Sequence, residues 1–201
     1  MSIKAIYFDI GGVLVRTLDR TPRTRLAERL GITYEALDEL VFGGEHGLKA
    51  QSGEISADEQ WAYVCQELGW PLSKRSELES EFFQGDALDA GLVDYLRQLH
   101  GRYKTGIISN ALSDVRTAIE NKWHMTDAFD VIIVSAEVGF MKPDARIFQT
   151  ALQALEVQPA EAIFVDDFTH NVEGARMVGM HAILFRSPEQ VRQELEAVLR
   201  M

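Results

Sequence analysis

Residues 4–12 read Lys-Ala-Ile-Tyr-Phe-Asp-Ile-Gly-Gly. The short apolar run from Lys4 to Phe8, bounded by Gly11-Gly12, has the pattern of a buried first strand. Asp9 ends that strand. Two glycines just beyond the carboxylate let a ligand approach the backbone closely. Four later runs repeat the strand pattern: Lys104–Ile108, Val131–Val134, Ala162–Val165 and His181–Phe185. Helical spacing occupies Asp114–Lys122, Ala145–Leu155 and Val172–Val178. Ser187–Leu199 closes the chain as a helix, with Ser187 as cap and Pro188 in the first turn. Strands alternating with helices predict an α/β fold, a doubly wound parallel sheet covered on both faces. Such sheets bind ligands at the carboxyl ends of their strands.

The alternation breaks once. From about Arg16 to Asp86 no strand pattern stands out. Amphipathic helical patterns cover Arg23–Leu30, Tyr34–Val41, Ala57–Leu68 and Leu78–Phe83, punctuated by Gly31, Gly43-Gly44, Gly53 and Pro71. The expected organisation is an α/β core from residues 1–15 and 87–201, with residues 16–86 inserted as a helical cap.

Bulk composition narrows the function. Of 201 residues, 46% are hydrophobic and 25% charged, an ordinary globular balance. The formal net charge of -11 argues against a nucleic-acid partner. The single cysteine, Cys65, lies among Trp61, Tyr63, Val64 and Leu68 and reads as a packed thiol, with no internal disulfide possible. The N-terminus lacks a signal-peptide pattern, and no apolar run approaches about 18 residues. A cytoplasmic chain without a membrane partner is therefore expected, as a monomer or homodimer.

Four polar clusters follow predicted strands. Asp9 is the first. Ser109-Asn110 is the second, placed before a helix, where a hydroxyl either assists anion binding or simply caps. Lys142, in Gly139-Phe140-Met141-Lys142-Pro143-Asp144, is the third, with Pro143 opening a helix; a lone lysine there also fits solvated surface. Asp166-Asp167 is the fourth. Adjacent carboxylates at a strand end repel each other unless a cation is near, and oxygen ligands of this kind suit Mg²⁺. The bland reading of that pair is a helix cap.

Taken in order, YFDIGGVLV, IISNA, GFMKPDARIF and IFVDDFTHNVEGA resemble the motifs of the haloacid dehalogenase superfamily. The helical insertion is similar to the α-helical cap of that family. Within it, the chain resembles small sugar-phosphate phosphatases, including those acting on glucose 1-phosphate, where GEIS, as in Gly53–Ser56, recurs in the cap. The resemblance implies that Asp9 attacks phosphorus and forms an aspartyl-phosphate, which water hydrolyses. It implies Mg²⁺ held by Asp9, Asp166 and the carbonyl of Gly11, with Asp167 holding a metal-bound water or orienting the loop. Ser109 and Lys142 would hold phosphoryl oxygens, Asn110 and the Gly11 N–H would add hydrogen bonds, and Asn171 would tie down the acidic loop. The implied substrate is a small phosphorylated metabolite.

The chain departs from the family at Gly11, where most of its phosphatases carry a second aspartate that protonates the leaving group. Such help is worth about a hundred- to ten-thousand-fold. Three readings stay open. The substrate has a good leaving group, such as an anomeric or acyl phosphate. Alternatively, the Phe42–Lys49 segment, a glycine-rich loop with Glu45, His46 and Lys49, supplies the proton, His46 being favoured by its near-neutral pKa. The third is a non-catalytic phosphate-binding or regulatory protein. Dehalogenases of the family lack the paired acids seen here. Phosphonate hydrolases use a cap lysine, and the only ones here, Lys49 and Lys74, have no recognisable context. His170, Trp61, Trp70, Trp123, His124 and His181 have structural readings.

Overall fold

The computed structural model describes residues 2–200. β1 (Ala5–Phe8) is followed by the Gly11-Gly12 turn and a short β2 (Val15–Thr17). Five helices come next: α1 (Thr21–Leu30), α2 (Tyr34–Phe42), α3 (Gly44–Gln51), α4 (Ala57–Glu67) and α5 (Arg75–Phe82). β3 (Asp86–Leu88) then returns antiparallel to β2. The rest alternates: α6 (Ala90–His100), β4 (Lys104–Ser109), α7 (Val115–Asn121), β5 (Val131–Val134), α8 (Ser135–Val138), α9 (Ala145–Ala154), β6 (Ala162–Asp166), α10 (Thr169–Met177), β7 (His181–Leu184) and α11 (Pro188–Leu199).

The main sheet has five parallel strands in the order β5-β4-β1-β6-β7. Alternation sends successive side chains of β1 to opposite faces. Ile6 and Phe8 pack with Leu92 and Leu96 of α6, Ile119 of α7 and Leu195 of α11. Ala5 and Tyr7 pack with Phe148 and Ala151 of α9 and Ala175 of α10. The Tyr7 hydroxyl donates to Ala151 O at 2.7 Å, so its polar end is satisfied inside the core. Burial on both faces is why β1 reads as an unbroken apolar run. The chain leaves β1 toward β4 and β5, then crosses back to β6 and β7. Strand order therefore reverses between β1 and β6, and the crevice at their carboxyl ends is where such sheets bind ligands.

The five inserted helices bury their own apolar cluster, centred on Leu26, Leu37, Trp61, Val64, Leu78 and Phe82. Cys65 is free and buried in it. Arg23 is a buried charge in this unit. Its guanidinium bonds Asp38 at 2.6 Å, Asp86 at 3.1 Å and Phe82 O at 3.0 Å, and lies 3.9 Å from the Phe82 ring. Contact with the sheet unit includes a small apolar group, Ala50, Ile55 and Ala57 against Leu112, and a bond from Ala57 N to Ser113 Oγ at 3.1 Å.

Three expectations are corrected. The Arg16–Asp86 stretch has strand at both ends. Three-residue β2 and β3 are too short to show a pattern, and they are joined by polar pairs: Thr17 Oγ1 donates to Asp86 at 2.6 Å and Arg16 bonds Asp89 at 2.6 Å. The glycine-rich Phe42–Lys49 segment is largely helix α3. Contacts with flanking residues offset the low propensity of its glycines: Glu39 accepts from Gly44 N at 2.9 Å, and Gln51 Nε2 donates to Phe42 O at 2.6 Å. A Cβ on Gly47 would stand 2.5 Å from the Phe42 carbonyl carbon, so only glycine permits this approach. Finally, Pro143 precedes its helix instead of opening it: α9 starts at Ala145, capped by Asp144, which accepts from Arg146 N at 2.9 Å.

Candidate active site

Asp9 directly follows β1 and Asp166 ends β6, so neighbouring strands deliver both carboxylates to the crevice. Oxygens of Asp9, Asp166 and Asp167 all lie within 4.8 Å of one another. The Lys142 ammonium sits between two of them, 2.9 Å from Asp9 Oδ1 and 2.6 Å from Asp166 Oδ2. The side chains of Lys142 and Asp166 are wholly buried. Asp166 also accepts from Asn171 Nδ2 at 3.1 Å and Phe168 N at 2.8 Å, so Asn171 ties the acidic loop down.

One lysine faces three carboxylates. Burial pushes the Asp9 carboxyl above its usual range; Lys142 pulls it down, Asp166 pushes it up, and the Ser109 hydroxyl pulls it down less strongly. Burial, then Asp9 and Asp166, push Asp167 up to about 6. Asp167 Oδ1 is buried and has no hydrogen-bond partner. Excess negative charge with an orphaned carboxylate oxygen is what a hard divalent cation would relieve. The acidic cluster therefore suits a metal ion; it is the one such group of three among the described residues.

The turn after Asp9 depends on its two glycines in different ways. Gly12 has φ +77°, and a Cβ there would stand 2.1 Å from Asp167 Oδ2. Its glycine is what lets the β1 and β6 loops touch. A Cβ on Gly11 would meet nothing within 4 Å, and its φ lies outside the left-handed region. Position 11 is thus exposed and has room for a side chain.

Ser109 is buried at the end of β4. α7 starts only at Val115, so the expected helix N-terminus at Ser109-Asn110 is absent: the chain first makes a loop. Both ends of the Asn110 amide are engaged by Lys142, accepting from its N–H at 2.7 Å and donating to its carbonyl at 3.0 Å. His46 is in the inserted helix α3. It stacks on Tyr63 of α4, centroids 3.7 Å apart and 7° from parallel. His170 is exposed beside Phe168.

Two contributors escaped the sequence reading. Ser135, fully buried at the start of α8, accepts from Ala111 N at 3.0 Å. Gly174 of α10 lies against the Lys142-Pro143 segment: a Cβ there would be 2.7 Å from Pro143 Cβ. Ser135 carries the same signal as Asp9 and Ser109, a polar residue directly after an apolar strand run. Gly174 carries none. A surface depression of about 430 Å³ near Lys4, His100 and Lys104 lies at the opposite, amino ends of the strands, away from this chemistry.

Comparison with known proteins gives the family. Residues 3–179 match the family of haloacid dehalogenase-like hydrolases. The chain belongs to that family. It is 31% identical to a phosphatase of Mycobacterium tuberculosis, covering 96% of this chain and 91% of that one. It is 29% identical to D-ribitol-5-phosphate phosphatase of Bacteroides thetaiotaomicron, covering 98% of each. It is also 29% identical to mouse acyl-CoA dehydrogenase family member 10, but spans only 19% of that protein's length. A haloacid dehalogenase family enzyme of Bacteroides thetaiotaomicron, solved with magnesium and inorganic phosphate, shares the fold with a TM-score of 0.78 and 21% identity, over 92% of this chain and 95% of that one. The chain thus belongs to a hydrolase family with phosphatase relatives. Among the described residues, no helix is long and apolar enough to cross a membrane.

Proposed function

We propose that the chain is a Mg²⁺-dependent phosphatase that hydrolyses a small phosphate monoester, with Asp9 as nucleophile. The observation that carries the reading is the Lys142 ammonium shared by Asp9 and Asp166, with Asp167 completing a three-carboxylate cluster at the switch point of the sheet. Asp9, Asp166 and Asp167, with the Gly11 carbonyl, would hold the metal. When bound, Mg²⁺ would offset the repulsion between the acidic cluster and the phosphate.

The chain's own groups do the rest. The Asp9 carboxylate attacks phosphorus, the P–O bond to the leaving group breaks, and phosphate is left on Asp9; water then attacks phosphorus and releases inorganic phosphate. Lys142 holds a phosphoryl oxygen and favours the ionised form of Asp9 against the effect of burial, and the Ser109 hydroxyl adds a second donor. Donors fixed by the fold before reaction need no reorganisation in the transition state. Residues 16–86 act as a cap on a core of residues 1–15 and 87–201, closing through the β2–β3 ribbon to exclude water. With Gly11 providing no acid, the favoured substrates are those whose leaving group departs with little protonation, such as anomeric or acyl phosphates. The sugar phosphatase likeness of the sequence and the polyol-phosphate relative support a small polar metabolite.

A screen of sugar, polyol and acyl phosphates with and without Mg²⁺ tests the reading. Phosphate release that needs Mg²⁺ and disappears in Asp9→Asn is expected. A null result throughout the screen favours the binding-protein reading instead.

A further inference from the structure

The position of Lys142 is fixed through its backbone as well as its ammonium. Asn110 Oδ1 accepts from Lys142 N–H at 2.7 Å, and Asn110 Nδ2 donates to Lys142 O at 3.0 Å. A side-chain amide that exchanges both bonds with one residue imitates a neighbouring strand, and it fixes both the height and the rotation of that residue. Asn110 lies on a loop, which needs its own anchor. Ser135 supplies it. Its Oγ accepts from Ala111 N at 3.0 Å and donates to Ala111 O at 3.4 Å, and its side chain is fully buried directly after β5. On the far side Gly174 lets α10 press against Pro143, so the Lys142-Pro143 segment is held from two directions.

We propose that Ser135 and Asn110 form a positioning relay. Ser135 fixes the loop Ser109–Ala111, and Asn110 on that loop fixes Lys142 so that its ammonium lies between Asp9 and Asp166. Neither residue acts on the reacting atoms. Both ends of the Asn110 amide are engaged by Lys142, and Ser135 contacts only backbone of the loop in the bonds described above. The relay deepens the phosphatase reading and rests on it for its effect on rate, but the geometry it claims does not depend on turnover. The same loop carries Ser109, so the relay sets the hydroxyl and the ammonium as one unit.

A double-mutant cycle on the Mg²⁺-loaded enzyme tests it. Misplacing a catalytic group by about 1 Å costs on the order of a hundredfold, so Asn110→Ala should lower kcat by about 10- to 100-fold. Added to Lys142→Ala, it should cost less than about twofold more, because a residue that acts through Lys142 has nothing left to act on. Multiplied losses would mean that Asn110 works independently of Lys142, and would overturn the relay. Ser135→Ala should lower kcat by roughly 3- to 10-fold, the scale of one lost hydrogen bond, and Ser135→Thr should restore it by keeping the hydroxyl. Failure of rescue in a folded Thr variant would remove Ser135 from the relay. The second readout needs no substrate. In the metal-free protein the buried Lys142 ammonium should give a slowly exchanging nitrogen resonance by NMR, lost in Asn110→Ala and weakened in Ser135→Ala. An unchanged resonance in Asn110→Ala overturns the relay whether or not the protein proves to be a phosphatase.

Discussion

Gly11→Asp puts back the acid that most phosphatases of the family carry two residues after the nucleophile. The structure says the change fits. A Cβ at position 11 meets nothing within 4 Å, and the backbone there is one that any residue adopts. At Gly12, by contrast, the same atom would run into Asp167. A new carboxylate beside Asp9, Asp166 and Asp167 has its own pKa raised by theirs, which suits a proton donor near neutral pH. General acid help of about a hundred- to ten-thousand-fold corresponds to roughly 2.7–5.4 kcal/mol off the barrier. Extra repulsion toward the phosphate takes part of that back, so a gain of about 10- to 100-fold in kcat/KM is expected for alkyl phosphates. The assay is kcat/KM across phosphate esters of graded leaving-group acidity, for wild type, Gly11→Asp and Gly11→Asn. Wild type should depend steeply on the leaving group, Gly11→Asp shallowly, and Gly11→Asn should follow wild type. If the folded, Mg²⁺-binding Asp variant keeps the wild-type slope, the missing acid is not what limits the enzyme, and another group already supplies the proton.

Lys142→Met leaves Asp9 and Asp166 buried side by side without their shared cation, a change that costs about 3–5 kcal/mol in comparable cases; thermal unfolding should show a large loss in EDTA that Mg²⁺ partly restores. Arg23→Leu strands the mostly buried Asp86 carboxylate, and should lower Tm by roughly 5–15 °C, measured by calorimetry, through the same effect. Asp114, a surface residue at the start of α7, has its carboxyl held above the usual range by local desolvation first and by Asp58 next, against its own backbone N–H and Arg75. A carboxylate raised in the folded state stabilises only below its unfolded pKa, and that stability is lost as pH rises through the folded value. Asp114→Asn should therefore raise Tm at pH 7 more than at pH 4 in parallel melts; an equal shift at both pH values would refute the reasoning.

Much of the fold is legible in the chain because buried parallel strands are unbroken apolar runs. Each of the five main strands starts and stops within a residue of the run that announces it, as at Ala5–Phe8 and Val131–Val134. The polar residue after four of those runs is also where the site forms. What stayed hidden depends on particular side-chain contacts, some close in sequence and some distant. α3 exists because Glu39, Phe42 and Gln51 satisfy and pack its glycines, which no local propensity announces. The commitment of the Asn110 amide to Lys142, 32 residues away, and the fit of Gly174 against Pro143 are tertiary facts of the same kind. The stacking of His46 on Tyr63 of α4 is likewise a contact that the sequence does not announce.

Asp9 as nucleophile is the centre of this account, and trapping the phosphorylated enzyme tests it most directly. During turnover with Mg²⁺ and a reactive phosphate ester, the enzyme is quenched in acid, reduced with borohydride and digested for mass spectrometry. An aspartyl-phosphate is reduced to homoserine, so the peptide spanning Tyr7 to Val13 should carry homoserine at position 9, only when Mg²⁺ and substrate are both present. Modification of a different carboxylate, or full turnover with position 9 never modified, would contradict the assignment.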